Sequence, residues 1–453
     1  MLFLFLCEIS YIIYFGEMIS EGVLDSLLET NAHEAWSMSG QVLIITCPAL
    51  LITLTIVFIY RKFISVKFRI TIPLSFYIIS FCFLFILILE TPIKKEIKDG
   101  DFNAMSELIR VYFPALTGNL LYVGLKPIST DIYSNFNEIE KFNEAVILPP
   151  KKTDNDLVVL IMGESSLVTR YSTYGYDKPT TPFMTEIFNQ KNGCIVQNAH
   201  STAALTRDSI PMTLSFNIPE SDDNLFNNKS IIEMAKYNDY KTFWLASIQQ
   251  SISSSFSTKF GFIARKSNYI EFTDNFDDIS LSKLLEDRLK NDNSPKKFIF
   301  IHLRGSHKLY TSYDEIDKQA LPNAEDYDLT IHHTDRVVKA LYDVIKTYSD
   351  NYTLIYTSDH GEIVNIGHGF VKGIDQFLIP FMMISTKNEF NCQFIESFRA
   401  TNGYLSGLMN KYILSNLLGY EIEPTILNQE KNNDRVYLSN NTVMPFLEFL
   451  EKN

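Results

Sequence analysis

The chain has 453 residues and a formal net charge of -13, long enough for two or three units with a sizeable core. That acidity argues against nucleic acid as a partner. Mean hydropathy is +0.00, high for a wholly soluble chain, and the excess lies in the first ninety residues.

Leu2 to Phe15 is apolar with Glu8 inside. It lacks a basic leading region and a small-residue cleavage site, so it reads as the end of a membrane helix rather than a signal peptide. Its shortness suggests N-terminal truncation. Glu21 to Met38 has mixed helical periodicity with Trp36 near its end, which suits an interfacial helix. Gln41 to Tyr60 and Thr71 to Leu89 carry no charged residue, and each is long enough to span about 30 Å of hydrocarbon as a helix. The loop between them contains Arg61, Lys62, Lys67 and Arg69 and no acid. By the positive-inside rule it faces the cytoplasm. The preceding segment, Gly16 to Gly40, has five acids and no Lys or Arg. It therefore faces outward, as does everything after Leu89.

Asn103 to Val123 is mildly amphipathic and reads as a connection lying along the membrane. Pro149-Pro150-Lys151-Lys152 marks a boundary. The expected organisation is a helical membrane region over 1–95, an interfacial linker over 96–155 and a catalytic domain over 156–453. Of five cysteines, Cys7, Cys47 and Cys82 fall in apolar runs. Cys194 and Cys392 could pair, which the sequence leaves open. No CxxC is present.

The outer domain opens with Asp156 to Met162, a continuous apolar run ended by Gly163 that reads as a central strand. Further strands are expected at Lys241–Ala246, Lys297–Leu303, Tyr352–Thr357 and Leu378–Ser385. Helices are expected at Ser230–Lys236, Ile279–Leu289 and Glu325–Tyr348. Strands alternating with helices give an α/β domain with a mostly parallel sheet covered on both faces. In such sheets ligands bind beyond the strand C-termini.

Four such places carry chemistry. The first strand delivers Glu164 directly. Thr206, in Leu205-Thr206-Arg207-Asp208-Ser209-Ile210-Pro211, sits where a helix would start. Its ordinary role there is an N-cap, but a helix N-terminus also favours an oxyanion and a phosphate. In Ile301-His302-Leu303-Arg304-Gly305-Ser306-His307, His302 lies within the strand and reads as a core histidine, while His307 lies past a glycine and reads as functional. Finally, Ser358-Asp359-His360-Gly361-Glu362 with Gly367-His368-Gly369 sets a carboxylate and two imidazoles in a glycine-rich loop. An Asp-His pair alone is a weak signal. Together the four places offer oxygen and nitrogen ligands suited to zinc or manganese. Such a metal makes a threonine hydroxyl nucleophilic at neutral pH.

These stretches, with Gly163-Glu164-Ser165, Tyr174-Gly175-Tyr176 and Thr180-Thr181-Pro182 in the same order, resemble the bacterial phosphoethanolamine transferases of the sulfatase/alkaline-phosphatase-like superfamily. The resemblance extends to Glu29-Thr30-Asn31 and Glu34-Ala35 and covers nearly the whole chain. It implies an alkaline-phosphatase/sulfatase-like fold behind an α-helical membrane domain. It implies a multi-pass inner-membrane enzyme with its catalytic domain in the periplasm. Zinc would be held by Glu164, Thr206, Asp359 and His360, with Thr206 the nucleophile. His307 and His368 would bind the donor phosphate or a second zinc. The donor would be phosphatidylethanolamine and the acceptor a hydroxyl of lipopolysaccharide core, lipid A or a periplasmic glucan.

The chain departs from the pattern in places. The lipid A enzymes carry a cysteine after the nucleophile and several disulfides; here Arg207 follows Thr206, which resembles the cysteine-poor branch. Val168 stands where an arginine is expected, with Arg170 two positions on. A sulfatase is disfavoured because no C/S-x-P-x-R motif surrounds Thr206. A lipoteichoic-acid-type glycerophosphotransferase and an inactive membrane-bound lipid- or partner-binding protein are the alternatives.

Overall fold

The computed structural model describes residues 2–15, 18–19, 24, 32–63, 118, 138–153, 155–248 and 259–453. The chain forms two compact units, Met1–Ile132 and Tyr133–Asn453. The second uncharged stretch, Thr71 to Leu89, and the Asn103 to Val123 connection, apart from residue 118, lie outside the described residues.

In the first unit, α1 (Leu2–Phe15) packs against α2 (Ala32–Phe63). Helix α2 contains the first uncharged stretch whole, with Pro48 inside it. Its described surface is apolar and open: Leu51, Leu54 and Phe58 are all exposed. The hydroxyls of Thr53 and Thr55 donate to the carbonyls of Ala49 and Leu51, four residues back, at 2.7 and 2.8 Å. Among the described residues no helix is long and apolar enough to cross a membrane; in α2 the unbroken run of described side chains is 46–60.

The second unit is built on one seven-stranded sheet. Its strands are β1 (Leu157–Gly163), β2 (Gly193–Val196), β3 (Lys241–Ala246), β4 (Tyr269–Phe272), β5 (Lys297–His302), β6 (Tyr352–Ser358) and β7 (Phe381–Ser385). They lie in the order β2-β7-β6-β1-β5-β3-β4. The five strands from β6 to β4 in that order run parallel, whereas β7 is antiparallel to both its neighbours. The sheet is therefore mixed. The strand expected at the end of the domain is present as β7, but it runs against the others. Every residue of β1, β6 and β7 is buried, the pattern of strands covered on both faces.

The covering helices follow the 3.6-residue period. In α7 (Asp326–Tyr348) the buried Tyr327, Ile331, Val338, Leu341 and Ile345 form one stripe, successive members four, seven, three and four residues apart, as a core-facing helix requires. It packs beside α6 (Leu281–Asn291). Helix α3 (Pro182–Phe188) has no cap of its own; the buried Asp335 on α7 accepts the N–H groups of Phe183 and Met184 at 2.9 and 2.6 Å. Helices α4 (Thr206–Leu214) and α5 (Ile231–Tyr237) complete the part of the fold that carries the site. Cys194 in β2 is disulfide-bonded to Cys392, with Cα atoms 5.0 Å apart.

Arg170 has a structural partner. Its guanidinium donates to the Tyr176 hydroxyl at 2.9 Å and to Asp328 Oδ1 at 3.1 Å. The Asp328 carboxylate, fully buried, also accepts from Tyr176 and from Lys178 Nζ. Removing the centre of such a network strands the surrounding cations. Asp328→Ala is expected to destabilise the second unit by about 1.5–3 kcal/mol, read as a fall in denaturation midpoint. A loss of only a few tenths would show that water replaces the carboxylate.

Candidate functional site

The sheet register places the site. Met162 on β1 pairs with His302 on β5 and with Thr357 on β6, and Gly163 pairs with Ser358. Three parallel strands thus end level, and Glu164, the His302 end of β5 and Asp359-His360 emerge side by side. Immediately after Glu164 the backbone turns through Ser165, whose φ is +55°, a region costly for a side-chain-bearing residue. Neighbouring elements hold it there. Its N–H donates to Asp359 Oδ1 at 3.3 Å, and its carbonyl accepts from the Tyr327 hydroxyl at 2.7 Å. Gly305 meets Glu164 from the other side. A Cβ on Gly305 would lie 2.9 Å from the Glu164 carbonyl oxygen, and its φ is +50°, so this approach needs glycine.

Thr206 is the first residue of α4, and no side chain caps that helix. The Ser209 hydroxyl donates to the Asp359 carbonyl at 2.6 Å, which fastens the start of α4 to the Asp-His loop. Thr206 Oγ1 donates to Glu164 Oε2 at 3.0 Å and lies 3.3 Å from His360 Nε2. The Nδ1 of His360 donates to the Gly361 carbonyl at 2.8 Å. A carbonyl can only accept, so Nδ1 carries hydrogen and Nε2 is the atom presented to the site. That Nε2 is 3.2 Å from Glu164 Oε1 and 3.4 Å from Asp359 Oδ2.

Glu164, Asp359 and His360 are fully buried, and their charges are mutually dependent. Burial alone would raise the pKa of Glu164. His360, with His302 and His307, outweighs it and holds the carboxyl well below the ordinary range. Burial and the adjacent Glu164 push Asp359 up to about 6. Burial disfavours the charged form of His360, yet Asp359 and Glu164 together push it up to about 10. Asp359 Oδ1 accepts the His360 N–H at 2.7 Å, while the buried Asp359 Oδ2 accepts no hydrogen bond. A buried carboxylate oxygen without a donor is costly. Two carboxylates, an imidazole Nε2 and a hydroxyl converging on one point are a donor set a divalent cation satisfies. The residues present fit such an ion.

Two further groupings share Glu164. Ligand atoms of Glu164, His302 and Asp359 lie within 4.8 Å of one another, as do those of Glu164, His360 and His368. His302, read from sequence as a core histidine, is indeed fully buried. Its Nε2 nevertheless approaches Glu164 Oε2 at 3.7 Å, so it borders the site. The only sequence signal was its position near the C-terminal end of an expected strand. The His368 ring centroid is 4.1 Å from that of His360 and 6.1 Å from that of His307. His368 thus stands beside His360 and near His307, with burial and the neighbouring His360 lowering the pKa of His368.

The chain is similar to known proteins in sequence and in fold. Residues 156–407 match the family described as Sulfatase. The chain is 28% identical over 401 residues to the phosphoethanolamine transferase EptC of Escherichia coli K12, covering 79% of this chain and 67% of that protein. The crystallised C-terminal periplasmic domain of EptC from Escherichia coli, in complex with zinc, superposes with a TM-score of 0.54 at 21% identity. The match covers 67% of this chain and 96% of that one. The integral membrane lipooligosaccharide phosphoethanolamine transferase A of Neisseria meningitidis gives 0.61 at 19% identity, over 92% of this chain and 83% of that one. The structural likenesses establish the alkaline-phosphatase/sulfatase-like α/β fold.

Proposed function

This chain belongs to the sulfatase family, among its phosphoethanolamine transferases, and from that premise we propose that it moves phosphoethanolamine from phosphatidylethanolamine to a hydroxyl of an envelope glycan through a phosphothreonine intermediate. The acceptor is a lipopolysaccharide core sugar, lipid A or a periplasmic glucan. The observation that carries the reading is Thr206: an uncapped first residue of α4 whose Oγ1 lies 3.0 Å from Glu164 Oε2 and 3.3 Å from His360 Nε2.

Glu164, Thr206, Asp359 and His360 would hold zinc, with manganese as the alternative. When bound, the ion supplies a Lewis acid that acidifies the hydroxyl and draws charge from the phosphoryl oxygens. The chain's own residues do the rest. Thr206 loses the proton now directed at Glu164 Oε2, and its Oγ1 attacks phosphorus. The phosphorus–oxygen bond to glycerol breaks, and diacylglycerol leaves as the alcohol after taking up a proton. His307 and His368 bind the phosphoryl oxygens, and the first N–H groups of α4 favour their negative charge. An acceptor hydroxyl then attacks the same phosphorus, loses its proton and frees Thr206, which regains one.

The reading places the catalytic unit outside the cytoplasmic membrane, in the periplasm, tethered by N-terminal spans. Three observations support it. The 41–60 stretch is uncharged and helical. The hydroxyls of Thr53 and Thr55 within it are satisfied inside the helix, as hydrocarbon demands. The outer unit carries a disulfide, a bond that persists in oxidising compartments. A C-terminal alkaline phosphatase fusion is expected to be active and a C-terminal green fluorescent fusion dark. The reverse pattern would refute the topology and, with it, access to the lipid donor.

The function itself is tested with fluorescent phosphatidylethanolamine. Purified full-length protein should release diacylglycerol from it and leave phosphatidylglycerol intact. Release from phosphatidylglycerol alone would instead mark a glycerophosphotransferase. Mass spectrometry of envelope glycans from cells with and without the chain identifies the acceptor.

A further inference from the structure

Glu362 has no part in the chemistry above, yet it is fully buried, two residues past His360. Its Oε2 accepts from His368 Nδ1 at 2.7 Å and its Oε1 from the Tyr310 hydroxyl at 2.6 Å. A carboxylate only accepts, so the hydrogen of that first bond sits on Nδ1. Nδ1 is then committed, and Nε2 is the nitrogen left for a ligand.

The surroundings make this arrangement stiff. The Tyr310 hydroxyl also accepts the Asn365 N–H at 3.1 Å. The Lys308 ammonium donates to the Ile366 carbonyl. These two bonds tie the loop that carries His368 to the loop that carries His307. The Tyr310 ring, itself buried, packs edge-on against Tyr327 with centroids 5.1 Å apart. The Tyr327 hydroxyl in turn donates to the carbonyl of Ser165, next to Glu164. One chain of contacts thus runs from the Glu164 turn through Tyr327 and Tyr310 to Glu362 and His368.

We propose that Glu362, steadied by Tyr310, is a positioning residue that fixes the His368 ring so that Nε2 meets the donor's phosphoryl oxygens. A carboxylate behind an imidazole sets its tautomer and ring angle, and disturbing such a partner costs about 10–100-fold. The proposal rests on the reading of His368 as a phosphoryl-binding residue. Glu362→Gln removes the negative charge behind the ring and leaves one acceptor oxygen where the carboxylate gives one to His368 and one to Tyr310, so the ring is held less firmly.

The test is a double-mutant cycle on full-length protein, read as kcat for transfer from phosphatidylethanolamine. Glu362→Gln alone should lower kcat by about 10–100-fold while zinc content stays unchanged. In the His368→Ala background it should lower kcat no further, because the group it acts through is gone. Tyr310→Phe, which deletes a single oxygen, should show the same dependence with a smaller loss. It serves if Glu362→Gln does not fold. Equal fold-losses in both backgrounds would overturn the proposal, since a merely structural defect does not need His368. The same cycle read as affinity for inorganic phosphate decides the matter even if the wild-type chain transfers nothing from phosphatidylethanolamine, a result that would refute only the donor.

Discussion

Thr206→Ala is expected to abolish phosphoethanolamine transfer and the covalent adduct together, while the outer unit stays folded. The hydroxyl is the atom that bonds to phosphorus, and nothing beside it can take over. Removing a nucleophile from an assembled site costs on the order of 10⁴-fold or more. Without acceptor, the wild-type intermediate should accumulate and add about 123 Da to the peptide containing Thr206, the mass of a phosphoethanolamine ester. Thr206→Ser keeps a hydroxyl at the start of α4 and should retain part of the rate. Folding should survive because Thr206 gives one hydrogen bond, to Glu164 Oε2, whereas Ser209 and the buried Ile210, Met212 and Leu214 anchor the helix. Thr202 and Thr213, the neighbouring threonines, are both fully or nearly fully buried. An adduct on either, or transfer by Thr206→Ala, would refute the mechanism.

The second large effect concerns the metal. Asp359→Asn and His360→Ala should each strip zinc from the protein as isolated, and with it nearly all activity. The expected loss of affinity exceeds the ~10–100-fold that altering an outer partner costs, because each substitution deletes a donor atom. Asp359→Asn is the sharper test. It preserves volume and still leaves an oxygen for the His360 N–H, which Asp359 Oδ1 now accepts at 2.7 Å. It removes the negative charge on Oδ2, the buried oxygen that accepts no hydrogen bond. Elemental analysis reads zinc directly and needs no substrate. Full zinc occupancy in both variants would show that the ion sits elsewhere or that the cluster is only an ion pair. Chelation of the wild-type protein should likewise silence it, with recovery on adding zinc.

Much of this was legible before any fold was known, because some choices are local. An apolar run from Leu157 to Met162 ending in Gly163-Glu164 places a carboxylate just beyond a buried strand, whatever lies beside it. The same holds for Tyr352 to Ser358 followed by Asp359-His360. The N-terminal charge pattern depends on counting alone. The start of α4 at Thr206 follows from helix chemistry within a few residues, and a helix was expected over Glu325–Tyr348, where α7 lies. Two short edge strands were not visible. Gly193–Val196 buries only alternate residues, and Tyr269–Phe272 is largely half-exposed, so neither presents the apolar run that marks β1.

Sequence by itself determined the kinds of atoms available and the strand ends that carry them. Which atoms meet was decided only in three dimensions. The order β6-β1-β5, with Met162, His302 and Thr357 level, brings residues nearly 200 positions apart within bonding distance. Register of that kind comes from how whole strands pack, not from any local signal. It turned His302 from a strand residue into a neighbour of Glu164 and joined Cys194 to Cys392. It also set β7 antiparallel, a direction that the apolar composition of a buried strand does not encode. Glu362 shows the same limit most plainly: the sequence places it in the motif, but only the folded chain puts His368 on one of its oxygens and Tyr310 on the other.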